Sequence, residues 1–145
     1  MEHKKETKSA YDKYAKEFEE RTKNYIENYL LNDINLFIQN LKGDKILDLG
    51  SGPGRDSLFF KTKGLHPISI DISESMVELC KQKGLEAHVM DMEDLQFENN
   101  SFDGCCVFYC FIFYVFSNCV FYNIIYNIRG GVINPHLFSL PAFFI

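Results

Sequence analysis

From Lys45 onward the chain alternates short apolar runs with helical stretches, and that alternation constrains the fold more than any other feature. "KILDLG" reads as a strand, Arg55 to Lys63 as a helix closed by Gly64, and "HPISIDI" as a second strand. Ser73 is placed to cap a helix carrying Met76, Val77 and Leu79, which Gly84 ends. "EAHVMD" is a third strand, and "SFDGCCVFYC" (101–110) begins a fourth. Strands spaced by helices in this way predict parallel strands with crossover helices, a doubly wound, mostly parallel α/β sheet. Two helices are expected ahead of it. One covers 8–20, with Tyr11, Tyr14, Ala15 and Phe18 at helical spacing. The other covers 24–41, with Ile26, Leu30, Ile34, Phe37 and Leu41 on one face and Gly43 placed to end it.

In such a sheet, ligands bind outside the carboxyl ends of the strands. Gly50, Gly52 and Gly54 lie there and let the backbone turn tightly against a ligand; a turn with no ligand is the alternative. Arg55 stands where a dinucleotide fingerprint wants a third glycine, which disfavours a nicotinamide cofactor. Asp48, two residues before Gly50, suits a ligand with an amino or ammonium group. Asp71 ends the second strand, where an acid can accept the hydroxyls of a ribose. Asp91, with Met92 beside it, can take the exocyclic amine of an adenine; solvation in a loop with Glu93 and Asp94 explains it equally well. Three successive strands that each end in an acid are more specific than any one of them.

Charge divides the chain at the fourth strand. Net charge is −5, which disfavours a non-specific grip on nucleic acid. The first 104 residues hold 14 Lys/Arg against 20 Asp/Glu, a net of −6, whereas Arg129 is the sole charge in the last 41. Cysteines follow the same division: Cys80 stands alone in the body, and Cys105, Cys106, Cys110 and Cys119 crowd the tail. An odd number at irregular spacing fits a reducing compartment rather than a disulfide framework. Cys106 and Cys110 lack a matching pair and His136 is isolated, so no metal site is expected. The charged N-terminus has no apolar leader, and a cytoplasmic protein is expected.

Taken together, "YDKYAKEF" (11–18), "ILDLGSGPGRDS" (46–57), "PISIDISESMVELCKQKG" (67–84) and "HVMDMEDLQFENNSFDG" (88–104) resemble the class I S-adenosylmethionine-dependent methyltransferases, over about residues 9–104. The resemblance implies a Rossmann-like sheet of strand order 3-2-1-4. It implies that S-adenosyl-L-methionine binds through Asp48, Gly50, Ser51, Gly52, Gly54, Asp71, Ile72, Asp91 and Met92. The methionine part would lie on the glycine loop, the ribose on Asp71 and the adenine on Asp91 and Met92. Tyr11 and Tyr14 would belong to a helix covering the site, although plain helix packing accounts for them as well. The methyl acceptor would be a small molecule. A catalytic base is not identified, nor an oligomeric state.

Residues 1–104 thus read as a cofactor-binding part and 105–145 as an apolar, aromatic tail. From Cys105 to Ile128, 20 of 24 residues are apolar, broken by Ser117, Asn118, Asn123 and Asn127. The run is long enough for a membrane anchor, but its β-prone residues and scant basic flank count against one. An unusual but intact sheet is a second reading. The loss of charge in mid-strand favours a third: a divergent or mis-joined end that leaves the sheet incomplete, with an aggregation-prone edge strand and doubtful catalysis. On that third reading the chain is a non-catalytic product that at most binds the cofactor; a membrane-tethered binding module is the other alternative to an enzyme.

Overall fold

The computed structural model describes residues 2–98 and 101–107. The expectations for the tail beyond Val107, including the end of the fourth strand, lie outside the described residues. The elements run α1 (Glu2–Thr22), a π-helical turn (Ile26–Leu30), α2 (Leu31–Gln39), β1 (Lys45–Leu49), α3 (Arg55–Thr62), β2 (His66–Asp71), α4 (Glu74–Gln82), β3 (Glu86–Val89) and β4 (Gly104–Cys106). The four strands form one parallel sheet, as the alternation predicts, in the order β3-β2-β1-β4 that the resemblance implies.

Alternation along β1 divides the core between the two faces of the sheet. Leu47 and Leu49 point to one face with Ile68, Ile70 and Phe102. Ile46 points to the other, where it joins Ile26, Leu30, Ile34, Phe60 and Cys106. Asp48 has the parity of Ile46, and Ser57 of α3 meets it there. Its carboxylate accepts from Ser57 Oγ at 2.7 Å, and Ser57 Oγ lies 2.7 Å from Ser69 Oγ on β2. A buried polar chain therefore ties β1, α3 and β2 together.

Two helices differ in detail from the sequence reading. The 24–41 segment is not one α-helix, because a π turn precedes α2. An i+4 ladder drifts about 40° per step around an α-helix. The wider π turn opposes that drift and keeps Ile26, Leu30 and Ile34 on one line, all buried. α2 ends at Gln39, before Gly43; Gly43 instead gives room to Asp103, whose carboxylate accepts from Lys45 N–H at 3.1 Å. That contact and Asp103 N–H donating to Lys45 C=O align β4 with β1. α1 extends beyond 8–20 in both directions and kinks at Tyr14. Ser73 caps α4, its hydroxyl accepting from Met76 N–H at 3.2 Å.

Candidate functional site

At the carboxyl ends of the strands lies a cavity of about 610 Å³. Its base is the loop Gly50–Pro53 with Arg55 and Asp56 at the head of α3. The loop turns on left-handed residues, Gly52 at φ +54° and Gly54 at φ +82°. Gly54 is doubly required. A Cβ there would lie 2.6 Å from Leu85 Cδ1 and 2.8 Å from Cys80 Sγ, so both the dihedral and the close packing of α4 demand glycine.

Ile70, Asp71 and Ile72 form the middle of the cavity. Asp71 fixes the loop from below: its carboxylate accepts from Gly52 N–H at 2.9 Å and from Ser73 N–H at 2.9 Å. Burial pushes this carboxyl up, and those backbone bonds only partly counter it. The distal wall is Met90, Asp91 and Met92. Asp91 accepts from Glu93 N–H at 2.9 Å and from Lys4 Nζ at 2.8 Å. Lys4 also bonds Glu93. Burial works to raise the Asp91 carboxyl, but the bonds from Lys4 and Glu93 N–H win and hold it below its ordinary value.

α1 closes the cavity. Lys4, Thr7, Tyr11, Phe18 and Thr22 face it, a stripe at intervals of three, four, seven and four residues. Tyr11 sits edge-on to Phe18 at 5.7 Å, whereas Tyr14 is half exposed beneath Lys13 and is not a lining residue. Asp12, next to Tyr11, holds the helix down. It accepts from Ser73 Oγ at 2.6 Å, Ser75 N–H at 3.1 Å and Lys8 Nζ at 2.9 Å. Burial alone would raise its carboxyl; the three donors bring it to about 2. Lys83 and Glu19 add a second tie, 2.5 Å apart.

Of the residues expected to meet a ligand, the fold brings Gly50, Ser51, Gly52, Asp71, Ile72, Asp91 and Met92 to one cavity. Asp48 and Gly54 are not among its lining residues. Asp48 points under α3, 1% exposed, where burial and then the charge of Asp56 push its carboxyl up to about 7, against the bond from Ser57. Asp48, Asp56 and Cys106 bring ligand-type atoms within 4.8 Å of one another. Both Asp56 oxygens are engaged by Arg55, at 2.8 Å from Nε and 2.8 Å from Nη2, so this cluster is a charge network rather than an open donor set. Of this helix the sequence reading offered Tyr11 and Tyr14 as residues of a helix covering the site, with plain packing as the alternative; it did not name Lys4, Thr7 or Thr22, and it missed Asp56.

The sequence matches the methyltransferase domain family over residues 46–129. A demethylmenaquinone methyltransferase of Clavibacter sepedonicus is 33% identical over 70 residues, which are 45% of this chain and 29% of that protein. The chain therefore matches less than a third of that relative's length. Among solved structures, a Methanococcus maripaludis protein provisionally described as an S-adenosyl-L-methionine-dependent methyltransferase superposes with a TM-score of 0.67 at 20% identity, over 81% of this chain and 59% of that one. It shows the fold alone. A Bacteroides fragilis methyltransferase in complex with S-adenosyl-L-homocysteine is 33% identical over 43% of this chain and 27% of its own, with a TM-score of 0.40.

Proposed function

The chain belongs to the class I S-adenosylmethionine-dependent methyltransferase family, and from that premise we propose that its cavity takes S-adenosyl-L-methionine and presents the methyl group to a small-molecule acceptor. The carrying observation is the single cavity that runs from the glycine loop past Asp71 to Asp91 and Met92. The ribose hydroxyls would bond Asp71, whose carboxylate has acceptor capacity beyond its backbone partners. The adenine would lie between Ile72 and Met92, its amine donating to Asp91. The sulfur-bearing chain would cross Gly50, Ser51 and Gly52. Asp48 and Gly54 would act through the loop, one bracing α3 behind it and the other shaping its turn.

These donors and acceptors fit the cofactor at both ends. When bound, it supplies an activated methyl group, so the protein's part is chiefly to align donor and acceptor and to exclude water. Residues 1–104 would form the cofactor side of the domain and the segment from 105 onward the acceptor side. Among the described residues, no helix is long and apolar enough to cross a membrane.

Equilibrium dialysis with labelled S-adenosyl-L-methionine tests the reading. Saturable binding is expected, weakened by Asp71→Ala and by Asp91→Asn. A charge-assisted bond is worth about 1.5–3 kcal/mol, which is roughly 10- to 150-fold in affinity. A folded sample that fails to bind, or two variants that bind as the parent does, would overturn it.

A further inference from the structure

We infer that Lys83, at the end of α4, is a positioning residue: it fixes the Pro53 carbonyl of the glycine loop and, through Glu19, ties the loop's shape to the docking of α1. Its effect on ligand affinity rests on the functional reading above. From Ser51 to Gly54 every backbone N–H and C=O has a partner. Ser51 N–H donates to Ile70 C=O at 3.0 Å, Gly52 N–H to the Asp71 carboxylate at 2.9 Å, and Gly54 N–H to Ser51 C=O at 3.0 Å. Gly54 C=O accepts from Leu58 N–H of α3 at 2.9 Å. The other two carbonyls are held by α4. Gly52 C=O accepts from Cys80 Sγ at 3.2 Å, a thiol that burial pushes up to about 11 and so keeps as a donor. Pro53 C=O accepts from Lys83 Nζ.

Lys83 differs from the other partners in what holds it. Ile70 and Asp71 belong to β2 and Cys80 is fully buried, whereas Lys83 is the cap residue after α4 and carries a flexible side chain. Glu19 restrains it at 2.5 Å, from the part of α1 beyond the kink at Tyr14. The two side chains are 24% and 28% exposed, so salt screens this pair less than a fully exposed one. An ammonium has three donors, and Lys83 therefore serves Glu19 and Pro53 together. When this part of α1 lifts, Glu19 leaves, the ammonium regains water, and the Pro53 carbonyl loses its fixed donor. The peptide so released precedes Gly54, at φ +82°, and turns over readily because glycine populates both signs of φ. Neither Lys83 nor Cys80 lines the cavity, so both hold carbonyls from behind the loop and shape its floor without touching a ligand.

The test joins a spectroscopic reading to an affinity. The carbonyl carbon shift of Pro53 would be followed by NMR without ligand, and S-adenosyl-L-homocysteine titrated calorimetrically, in the parent chain, Lys83→Met, Glu19→Ala and the double variant. Lys83→Met should move the Pro53 carbonyl signal and weaken binding by about 10-fold, the lower end of what one charge-assisted bond is worth. Glu19→Ala should move the same signal in the same direction. Added to Lys83→Met, it should change affinity by less than about twofold, because the two act as one unit. An unmoved carbonyl in Lys83→Met, affinity equal to the parent's, or fully additive losses would each overturn the inference. If Lys83→Met fails to fold, Glu19→Ala decides by the same two readings. If the folded parent does not bind, the cofactor reading falls and the carbonyl shifts alone decide the inference.

Discussion

Asp48→Asn should remove a pH dependence built into the centre of the sheet. The Asp48 carboxyl is fully buried, and burial together with the neighbouring Asp56 moves it from an ordinary 3.8 to about 7. A raised carboxyl means that the folded chain holds its proton more tightly than the unfolded chain. Its contribution to stability is complete below about pH 4 and is lost as pH rises to about 7. At 1.36 kcal/mol per pH unit the full loss is about 4 kcal/mol, of which about 3 kcal/mol falls between pH 5 and 8. That is a large part of the 5–15 kcal/mol typical of a domain. Asparagine is neutral at every pH, and its Oδ1 can still accept the Ser57 hydroxyl. The assay is urea unfolding followed by circular dichroism from pH 5 to 8. The stability advantage of the variant over the parent should grow by about 3 kcal/mol across that range, whatever the constant cost of the amide. Parallel pH profiles would refute the reasoning, because they would mean that Asp48 is already ionised in the fold at pH 5.

Gly54→Ala should cost about 2–4 kcal/mol, from the left-handed backbone and the overlap with Leu85 and Cys80. Gly64→Ala, at φ +80° with nothing within 4 Å, should cost only about 1 kcal/mol; equal losses in a thermal melt would show that crowding at Gly54 is irrelevant. Asp12→Ala removes a cap on α4 and the main tie of α1, so about 1–2 kcal/mol should be lost, with faster amide exchange concentrated in residues 2–22. Uniform acceleration across the sheet would contradict that assignment. Lys4→Met breaks a half-buried ion pair that remains open to solvent and should cost no more than about 1 kcal/mol by urea unfolding, while raising the Asp91 carboxyl measured by NMR titration.

Much of the fold was legible because its signals are local and periodic. Apolar runs ending in Asp48, Asp71 and Asp91 located the strands, and Gly64, Gly84 and Ser73 punctuated the helices. The meeting of Asp71, Asp91 and the glycine loop at one end followed from parallel strands, whereas the strand order came only from the family resemblance. The direction of Asp48 did not. Its distance from Gly50 suggested a ligand contact, but its parity with Ile46 turns it under α3, and only the partner Ser57 reveals that. The π turn was equally hidden, because Ile26, Leu30 and Ile34 suit a plain helix. A covering helix was an expectation attached to Tyr11 and Tyr14, but Lys4, Thr7 and Thr22 of its cavity face are polar and gave no hydrophobic signal. Asp56 carried no signal, because it lies one residue beyond the glycine pattern and at no strand end.

Because α1 is itself a wall of the cavity, occupancy of the site and docking of that helix are two readings of one equilibrium. Any ligand that touches Lys4, Thr7 or Tyr11 tightens the helix by as much as the docked helix tightens the ligand, a reciprocity that thermodynamics imposes. Ligand exchange then becomes a question of how often the helix lifts. Asp12 and the Lys4 bridge, neither of which touches a reacting atom, would set the residence time of whatever lies beneath them.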